Sequence, residues 1–368
     1  MVWKERRLSI FAMRMTKPYL SDQLWMSRCF DLARKGIGQV SPNPPVGAVL
    51  LYQNTILAEG YHHYFGGPHA EVEAIGNVPA DKKHLIPDST LYVSLEPCCI
   101  TGKTPPCTEL IIKSGIKEVR VSAIDPNPEI AGKGLEQLRK NGIHVEAGIL
   151  KEEGEHLVRS FRMNILHQRP YVILKWAQSK HLVSGVPDQQ IWFSHPHTLT
   201  WSHRLRAECD GIIVGANTVE TDNPALTTRD YPGRSPVRII YDPNGKLDSN
   251  YKVFREDGLR IFYFSSVDNP GVAGIKNIST SILEAGIAHI PQILSTLFKN
   301  SIGSLLVEGG SYVHQLFIKE NLWDEAWVIK TQNETKEGIQ APNIRGKLID
   351  ALSIGADTIV GIANDHQN

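Results

Sequence analysis

Hydrophobic and polar positions recur along the chain with helix-like and strand-like periods, and the pattern predicts two α/β halves. Ser21 to Lys35 carries Leu24, Cys29, Leu32 and Ala33 on or near one face, which predicts an amphipathic helix ended by Gly36 and Gly38. Val46 to Tyr52 is a continuous apolar run, the pattern of a buried strand. After Pro68 a helix opens at His69 to Ile75. Thr90 to Leu95 reads as a strand, Thr108 to Ser114 as a helix stopped at Gly115, and Glu118 to Ile124 as a strand. Gly134 to Lys140 reads as a helix stopped at Asn141-Gly142, and Val145 begins another strand. Strands separated by helices predict a three-layer α/β domain.

A polar helical stretch, Glu152 to Gln168, ends at Arg169-Pro170. Apolar β-type runs then resume at Tyr171 to Lys175, Gly211 to Gly215, Val237 to Tyr241, Leu259 to Phe264, Ser304 to Val307 and Ala326 to Ile329. Helical candidates lie between several of them, so a second α/β domain is expected. The expected extents are 18–166 and 167–368. No internal repeat or low-complexity region interrupts either half.

Length supports this division: at 368 residues the chain exceeds the size at which one hydrophobic core keeps growing. A formal net charge of zero lacks the basic excess of a nucleic-acid binder and favours a small-molecule substrate. No apolar run approaches the roughly 20 residues of a membrane span, so no membrane partner is expected. Met1 to Lys17 carries basic residues around a short apolar patch, Leu8 to Met13, and reads as an extension, with Met15 an alternative start. Of five cysteines, Cys98, Cys99 and Cys107 fall within ten residues, while Cys29 and Cys209 read as small apolar core residues. In a chain this large that grouping points to metal binding in the reducing cytoplasm rather than to a disulfide framework. A homo-oligomer is compatible with the sequence, which does not specify one.

The chemistry concentrates in Pro68-His69-Ala70-Glu71, Glu96-Pro97-Cys98 and Pro105-Pro106-Cys107. One histidine and two cysteines suit a catalytic zinc, because they leave a fourth position open to water. Zinc lowers the pKa of that water toward neutrality. Glu71, two residues after His69, is placed to shuttle the water proton to a ring nitrogen and then to leaving ammonia. Zinc deaminases use His-x-Glu followed by Pro-Cys-x-x-Cys with the glutamate off the metal. Here eight residues separate the cysteines, so the match is to a variant, and Cys99 stands as an alternative to Cys98.

In the second half, Leu305 to Val307 leads into Glu308-Gly309-Gly310-Ser311 and a helix-like stretch. A strand, a glycine pair and a helix N-terminus form a phosphate cradle, because free backbone N–H groups point at the anion. The Gly-x-Gly-x-x-Gly fingerprint is missing, which disfavours a standard dinucleotide fold. Arg204, Arg206 and Arg229 are candidates for clamping a phosphate through forked hydrogen bonds.

These residues resemble the bifunctional riboflavin-biosynthesis deaminase/reductase family over nearly the whole chain after about residue 18. In the first half the resemblance rests on Ser41-Pro42-Asn43-Pro44-Pro45-Val46-Gly47, Gly60-Tyr61-His62, Pro68-His69-Ala70-Glu71, Leu95-Glu96-Pro97-Cys98 and Gly102-Lys103-Thr104-Pro105-Pro106-Cys107. Asp125-Pro126-Asn127-Pro128 and Ala131-Gly132-Lys133-Gly134 add to it. In the second half it rests on Leu205-Arg206-Ala207, Gly215-Ala216-Asn217-Thr218-Val219, Thr221-Asp222-Asn223-Pro224-Ala225-Leu226-Thr227 and Val307-Glu308-Gly309-Gly310. It implies a cytidine-deaminase-like domain followed by a dihydrofolate-reductase-like α/β domain. The implied substrate is 2,5-diamino-6-ribosylamino-4(3H)-pyrimidinone 5′-phosphate, whose 2-amino group is replaced by oxygen before NADPH reduces the ribosyl to a ribityl chain. By the resemblance Asn43 and His62 line the deaminase pocket. Ala177, Trp192, Thr218, Asp222 and the stretch from Gly310 hold NADPH, and Gln190, Arg206, Leu226, Arg229 and Glu308 hold the ribose phosphate side.

Three segments depart from the family. Cys98-Cys99-Ile100-Thr101 replaces Cys-Ser-His, Ser179-Lys180-His181-Leu182 replaces Ser-Leu-Asp-Gly, and Lys330 to Gly338 is polar where a Gly-Gly segment is usual. They leave three alternatives: a deaminase with an impaired reductase-like domain, a tRNA or DNA base deaminase, and a non-catalytic zinc module.

Overall fold

Residues 19–101 and 105–365 are described in the computed structural model of the chain, with side chains from residue 22 onward. The Met1–Lys17 extension and Gly102-Lys103-Thr104 therefore lie outside the described residues. The chain divides into two units between Leu166 and His167.

The first unit runs α1 (Tyr19–Arg34), β1 (Gly47–Tyr52), β2 (Thr55–Tyr61), α2 (Ala70–Gly76), a 3₁₀ segment (Ala80–Asp88), β3 (Thr90–Leu95), α3 (Cys107–Lys113), β4 (Glu118–Ala123), α4 (Lys133–Lys140), β5 (His144–Ala147), α5 (Lys151–Leu157) and α6 (Arg159–His167). Its sheet has the order β2-β1-β3-β4-β5. β1 is antiparallel to β2 and β3, and β3, β4 and β5 are parallel. The two faces of β1 sort its side chains with period two. Ala48 and Leu50 join Ala70, Ala74, Ile111, Leu135 and Leu138 in one core layer. Val49 and Leu51 join Met26, Cys29, Phe30 and Leu157 in the other. Helices thus cover both faces, giving the three layers the alternation predicts.

Two expectations are corrected here. The stretch 152–168, read as one helix, is two helices broken at Val158. β2 escaped the apolar pattern because its outer half is exposed. It is joined to β1 by a two-residue turn, with Gln53 and Asn54 at φ 50° and 58°, the left-handed pair that a tight hairpin requires.

The second unit runs β6 (Tyr171–Gln178), β7 (Val183–Gly185), α7 (Pro196–Glu208), β8 (Gly211–Gly215), α8 (Ala216–Asp222), β9 (Val237–Tyr241), β10 (Ile261–Ser265), β11 (Ile278–Ile282), α9 (His289–Lys299), β12 (Ser304–Val307), α10 (Ser311–Lys319), β13 (Glu325–Lys330), β14 (Ile339–Gln340), β15 (Lys347–Ile354) and β16 (Asp357–Ala363). Nine strands form one sheet in the order β11-β10-β9-β8-β12-β6-β13-β16-β15, and β14 pairs with β7 separately. From β11 to β13 neighbours are parallel; β16 and β15 close the edge antiparallel. The central strands are apolar on both faces, as strands covered on both sides must be. Their carboxyl ends are where an open parallel sheet places its ligands.

Candidate active site

In the first unit, two helix starts and one strand end meet. β3 delivers Glu96-Pro97-Cys98, His69 is the N-cap of α2, and Cys107 is the first residue of α3. His69 Nδ1 lies 3.6 Å from Cys98 Sγ and 3.3 Å from Cys107 Sγ. The backbone N–H of Cys107 donates to Cys98 Sγ at 3.3 Å. All three donor atoms lie within 4.8 Å of one another. The Cys98 thiol is drawn down to about 4, first by its hydrogen bond with Cys107 and then by His69, while Cys107 is pushed up. One imidazole and two sulfurs, one of them readily a thiolate, fit a zinc ion that keeps a fourth position open.

Glu71 sits one turn into the same helix start and is 3% exposed. Burial and the negative Cys98 push its carboxyl up to about 7. Asn43 and His62, implied only by resemblance, are brought to the same place. Asn43 Nδ2 donates to His62 Nε2 at 3.0 Å, and His62 Nδ1 donates to the Pro68 carbonyl at 2.8 Å. The carbonyl can only accept, so the proton sits on Nδ1 and Nε2 is the acceptor. Burial lowers the pKa of this ring and keeps it neutral. These residues line a cavity of 150 Å³ with Leu95, Ile130, Phe161 and Asp125.

Asp125 carried no role in the sequence reading. Burial pushes its carboxyl up to about 6, and Asn127 N donates to it at 2.8 Å. Its signal was present in Asp125-Pro126-Asn127-Pro128, directly after the strand that ends at Ala123. Glu96 was likewise missed: its carboxylate accepts from the backbone N–H groups of Asp125, Gly132, Gly134 and Leu135 at 2.9–3.3 Å, fixing the loop that brings Asp125 to the cavity.

In the second unit, Glu308 leaves the end of β12 and meets a forked Arg206 from α7: Nε to Oε1 at 3.0 Å and Nη2 to Oε2 at 2.7 Å. Arg206 Nη1 also donates to the Thr227 carbonyl at 3.1 Å. Lys175, in β6, lies in the field of both charges. Burial depresses its pKa, and the Arg206 and Lys175 charges hold Glu308 down at about 2. Lys175 was not singled out from the sequence, although a lysine inside Tyr-Val-Ile-Leu-Lys-Trp-Ala-Gln is its own signal. The expected three-arginine phosphate clamp is corrected. Arg206 is committed to Glu308, Arg204 pairs with Glu208, and Arg229 pairs with Asp230. Buried acceptors took the donors that a phosphate would need.

Gly309 passes so close to β8 that a Cβ there would sit 2.3 Å from Val214 Cα. Gly310 has φ +48°, and a Cβ on it would come 3.1 Å from Thr218 Oγ1. No side chain caps α10, so its first N–H groups stay open to an anion. This fits a dinucleotide phosphate with Gly310 and Thr218 side by side. Gln190 Nε2 reaches the Asp222 carbonyl at 3.5 Å, Leu226 is buried at φ +54°, and Arg229 N donates to His203 Nδ1 at 3.1 Å. Ala177 is in β6, and Trp192 is 62% exposed.

The two departures in this unit meet each other. Ser179 Oγ donates to the Thr335 carbonyl at 2.7 Å, and Lys180 N donates to the Asn333 carbonyl at 3.0 Å. Lys180 Nζ and His181 Nε2 both reach Glu334, at 2.5 and 3.5 Å. The altered segments therefore form one paired element with β7 and β14 behind it.

Fold and site define a zinc deaminase of the cytidine-deaminase type followed by an NADPH-dependent reductase on one chain. Residues 20–123 match the family described as the cytidine and deoxycytidylate deaminase zinc-binding region, and residues 170–330 match the RibD C-terminal domain. The chain belongs to the riboflavin biosynthesis RibD family, whose members carry both domains. It is 37% identical to riboflavin biosynthesis protein RibD of Aquifex aeolicus over 94% of this chain and 96% of that one, and 31% identical to the Escherichia coli protein over 83% and 86%. A solved structure from Thermotoga maritima, a diaminohydroxyphosphoribosylaminopyrimidine deaminase/5-amino-6-(5-phosphoribosylamino)uracil reductase, is 34% identical. It superposes with a TM-score of 0.87 over 95% of this chain and 100% of that one. RibD of Acinetobacter baumannii superposes with a TM-score of 0.83 at 28% identity over 94% and 99%. Among the described residues no helix is long and apolar enough to cross a membrane.

Proposed function

We propose that the chain deaminates 2,5-diamino-6-ribosylamino-4(3H)-pyrimidinone 5′-phosphate at residues 18–166 and reduces the product's ribosyl group at residues 167–368. The observation that carries this reading is the convergence of His69, Cys98 and Cys107 beside a buried carboxyl, Glu71, on the wall of a cavity. Zinc held by those three residues supplies a water acidic enough to attack the ring carbon near neutral pH. Glu71 takes the proton, hands it to the ring nitrogen, and then protonates the departing amine. Asn43 and His62 hold the pyrimidine edge, and the Asp125 carboxyl contacts its amino groups.

In the second unit NADPH supplies the hydride that reduces the ribose C1′. Gly310, Thr218, Asp222, Ala177 and Trp192 hold the cofactor. Glu308 and Arg206 face the ribose, with Gln190, Leu226 and Arg229 on its phosphate side. The zero net charge favours this small substrate over nucleic acid. The described cysteines are all free, which suits a reducing cytoplasm. β15 is a long, exposed edge strand carrying Leu348 and Ile349, which supports pairing with a second copy of the chain.

The test supplies zinc-loaded protein with the diaminopyrimidine substrate, with and without NADPH, and follows products by mass spectrometry. Deaminated product without NADPH and ribityl product with it are expected. Deamination with no NADPH consumed overturns the reductase half, and neither product from zinc-bound protein overturns the substrate.

A further inference from the structure

His314, on the second turn-facing side of α10, is absent from every motif read in the sequence. Its ring is 2% exposed and meets three backbone carbonyls. Nδ1 lies 2.9 Å from the Gly310 oxygen, and Nε2 lies 3.0 Å from the Val307 oxygen and 3.2 Å from the Lys175 oxygen. The indole of Trp176 closes one side edge-on at 5.5 Å. A leucine would fill this space without any desolvation cost, so packing alone does not explain an imidazole here. The three carbonyls belong to the glycine turn, to the end of β12 just before Glu308, and to the β6 residue whose amine sits near Glu308. A carbonyl oxygen can only accept, so each contact calls for a ring N–H. Burial and the Lys175 charge push the ring's pKa down, and the three carbonyls push it back up.

We propose that His314 is a positioning residue for the reductase site: it ties the Gly310 turn to the ends of β6 and β12, so that the cofactor cradle and the Lys175–Arg206–Glu308 cluster keep one spacing. This rests on the reductase reading above. Hydride transfer depends on that spacing, because a displacement of about 1 Å in a reacting pair costs roughly 10²-fold in rate. The pyrimidine side is held by side chains on strands that His314 does not need to anchor, so its binding is less affected.

The test compares full-length wild type, His314→Leu and His314→Gln. Leucine removes both ring donors at similar bulk, and glutamine returns one donor group. NADPH and the deaminated pyrimidine are varied separately, and ammonia release by the same chain serves as an internal control. For His314→Leu the KM for NADPH rises about ten-fold, the equivalent of one lost hydrogen bond, and kcat of reduction falls further. The KM for the pyrimidine and ammonia release hold, and His314→Gln lies between. An unchanged NADPH KM in folded His314→Leu, even with a lowered melting temperature, overturns the proposal in favour of a purely structural role. Should that variant not fold, histidine-labelled wild type decides by ¹⁵N NMR: ring N–H signals that shift when NADPH is added support the tie, and indifference overturns it. Wild type that never oxidises NADPH overturns the reductase reading itself, an outcome distinct from these.

Discussion

Glu71 and Glu308 are the same residue, both withdrawn from water, and their surroundings drive them in opposite directions. Glu71 faces sulfur and apolar walls, and its carboxyl is pushed up to about 7. Glu308 faces the Arg206 fork and Lys175, and is held down at about 2. A group that must gain and lose a proton during each turnover works best near the operating pH. A group that must stay an anion is served by fixed cations around it. The first unit thus builds a proton carrier and the second a permanent charge. A divalent cation on His69, Cys98 and Cys107 pulls the Glu71 value lower, since nearby positive charge favours the carboxylate.

The largest effect that sharpens this contrast is on Glu71. Glu71→Gln keeps the shape but cannot carry a proton, so ammonia release drops by about 10²–10⁴-fold. Zinc content, read by atomic absorption, and reduction of pre-deaminated substrate are unchanged; a variant that still releases ammonia at the wild-type rate would break the assignment. Next comes Glu308→Gln, which strands Arg206 beside Lys175 without their counter-ion. Removing one partner of a buried pair costs about 3–5 kcal/mol, so chemical denaturation shows the second unit weakened and reduction lost while ammonia release persists. Equal loss of both activities would contradict a division of labour between the units.

A smaller effect follows from pH. The folded-state pKa of Glu308 lies below its ordinary value of 4.5, so the unfolded chain binds this proton more tightly. Its contribution is fully present above about pH 4.5 and is lost as pH falls toward 2. The whole effect is about 3 kcal/mol. Urea melts from pH 6 to 3 should show that slope in wild type and a flatter one in Glu308→Gln. The smallest effect is on the exposed Lys180–Glu334 pair. Lys180→Ala should leave NADPH oxidation within roughly two-fold; a large loss would mean that the paired departures do more than hold each other.

Buried strands were the most legible part of the fold. Thr90–Leu95, Gly211–Gly215, Val237–Tyr241 and Ser304–Val307 have the bounds that their apolar runs predict, because strands covered on both faces cannot hide among polar residues. β11, β15 and β16 were missed because edge and near-edge strands carry polar or exposed positions that erase the signal. The zinc residues were legible because metal ligation admits few residue types and places them at element starts. The ion cluster was not: Arg206 and Glu308 are 102 positions apart, and nothing local to either names the other. Ser179–Leu182 and Lys330–Gly338 read separately as losses, yet in three dimensions each supplies the other's partners.

Gly309 sets a limit on how the gene for this chain can drift. Every single-base change in a glycine codon that alters the amino acid introduces a side chain, and a Cβ at this position lands on the backbone of Val214 and Gly215, at 2.3 and 2.6 Å. No rotamer relieves a collision with main chain. One nucleotide here is therefore enough to disable the reductase and leave a chain that deaminates alone, releasing an intermediate that a second, separately encoded reductase would have to collect. A lineage that had acquired such an enzyme could lose Gly309 without penalty, and the residue at this codon would be an early record of that loss.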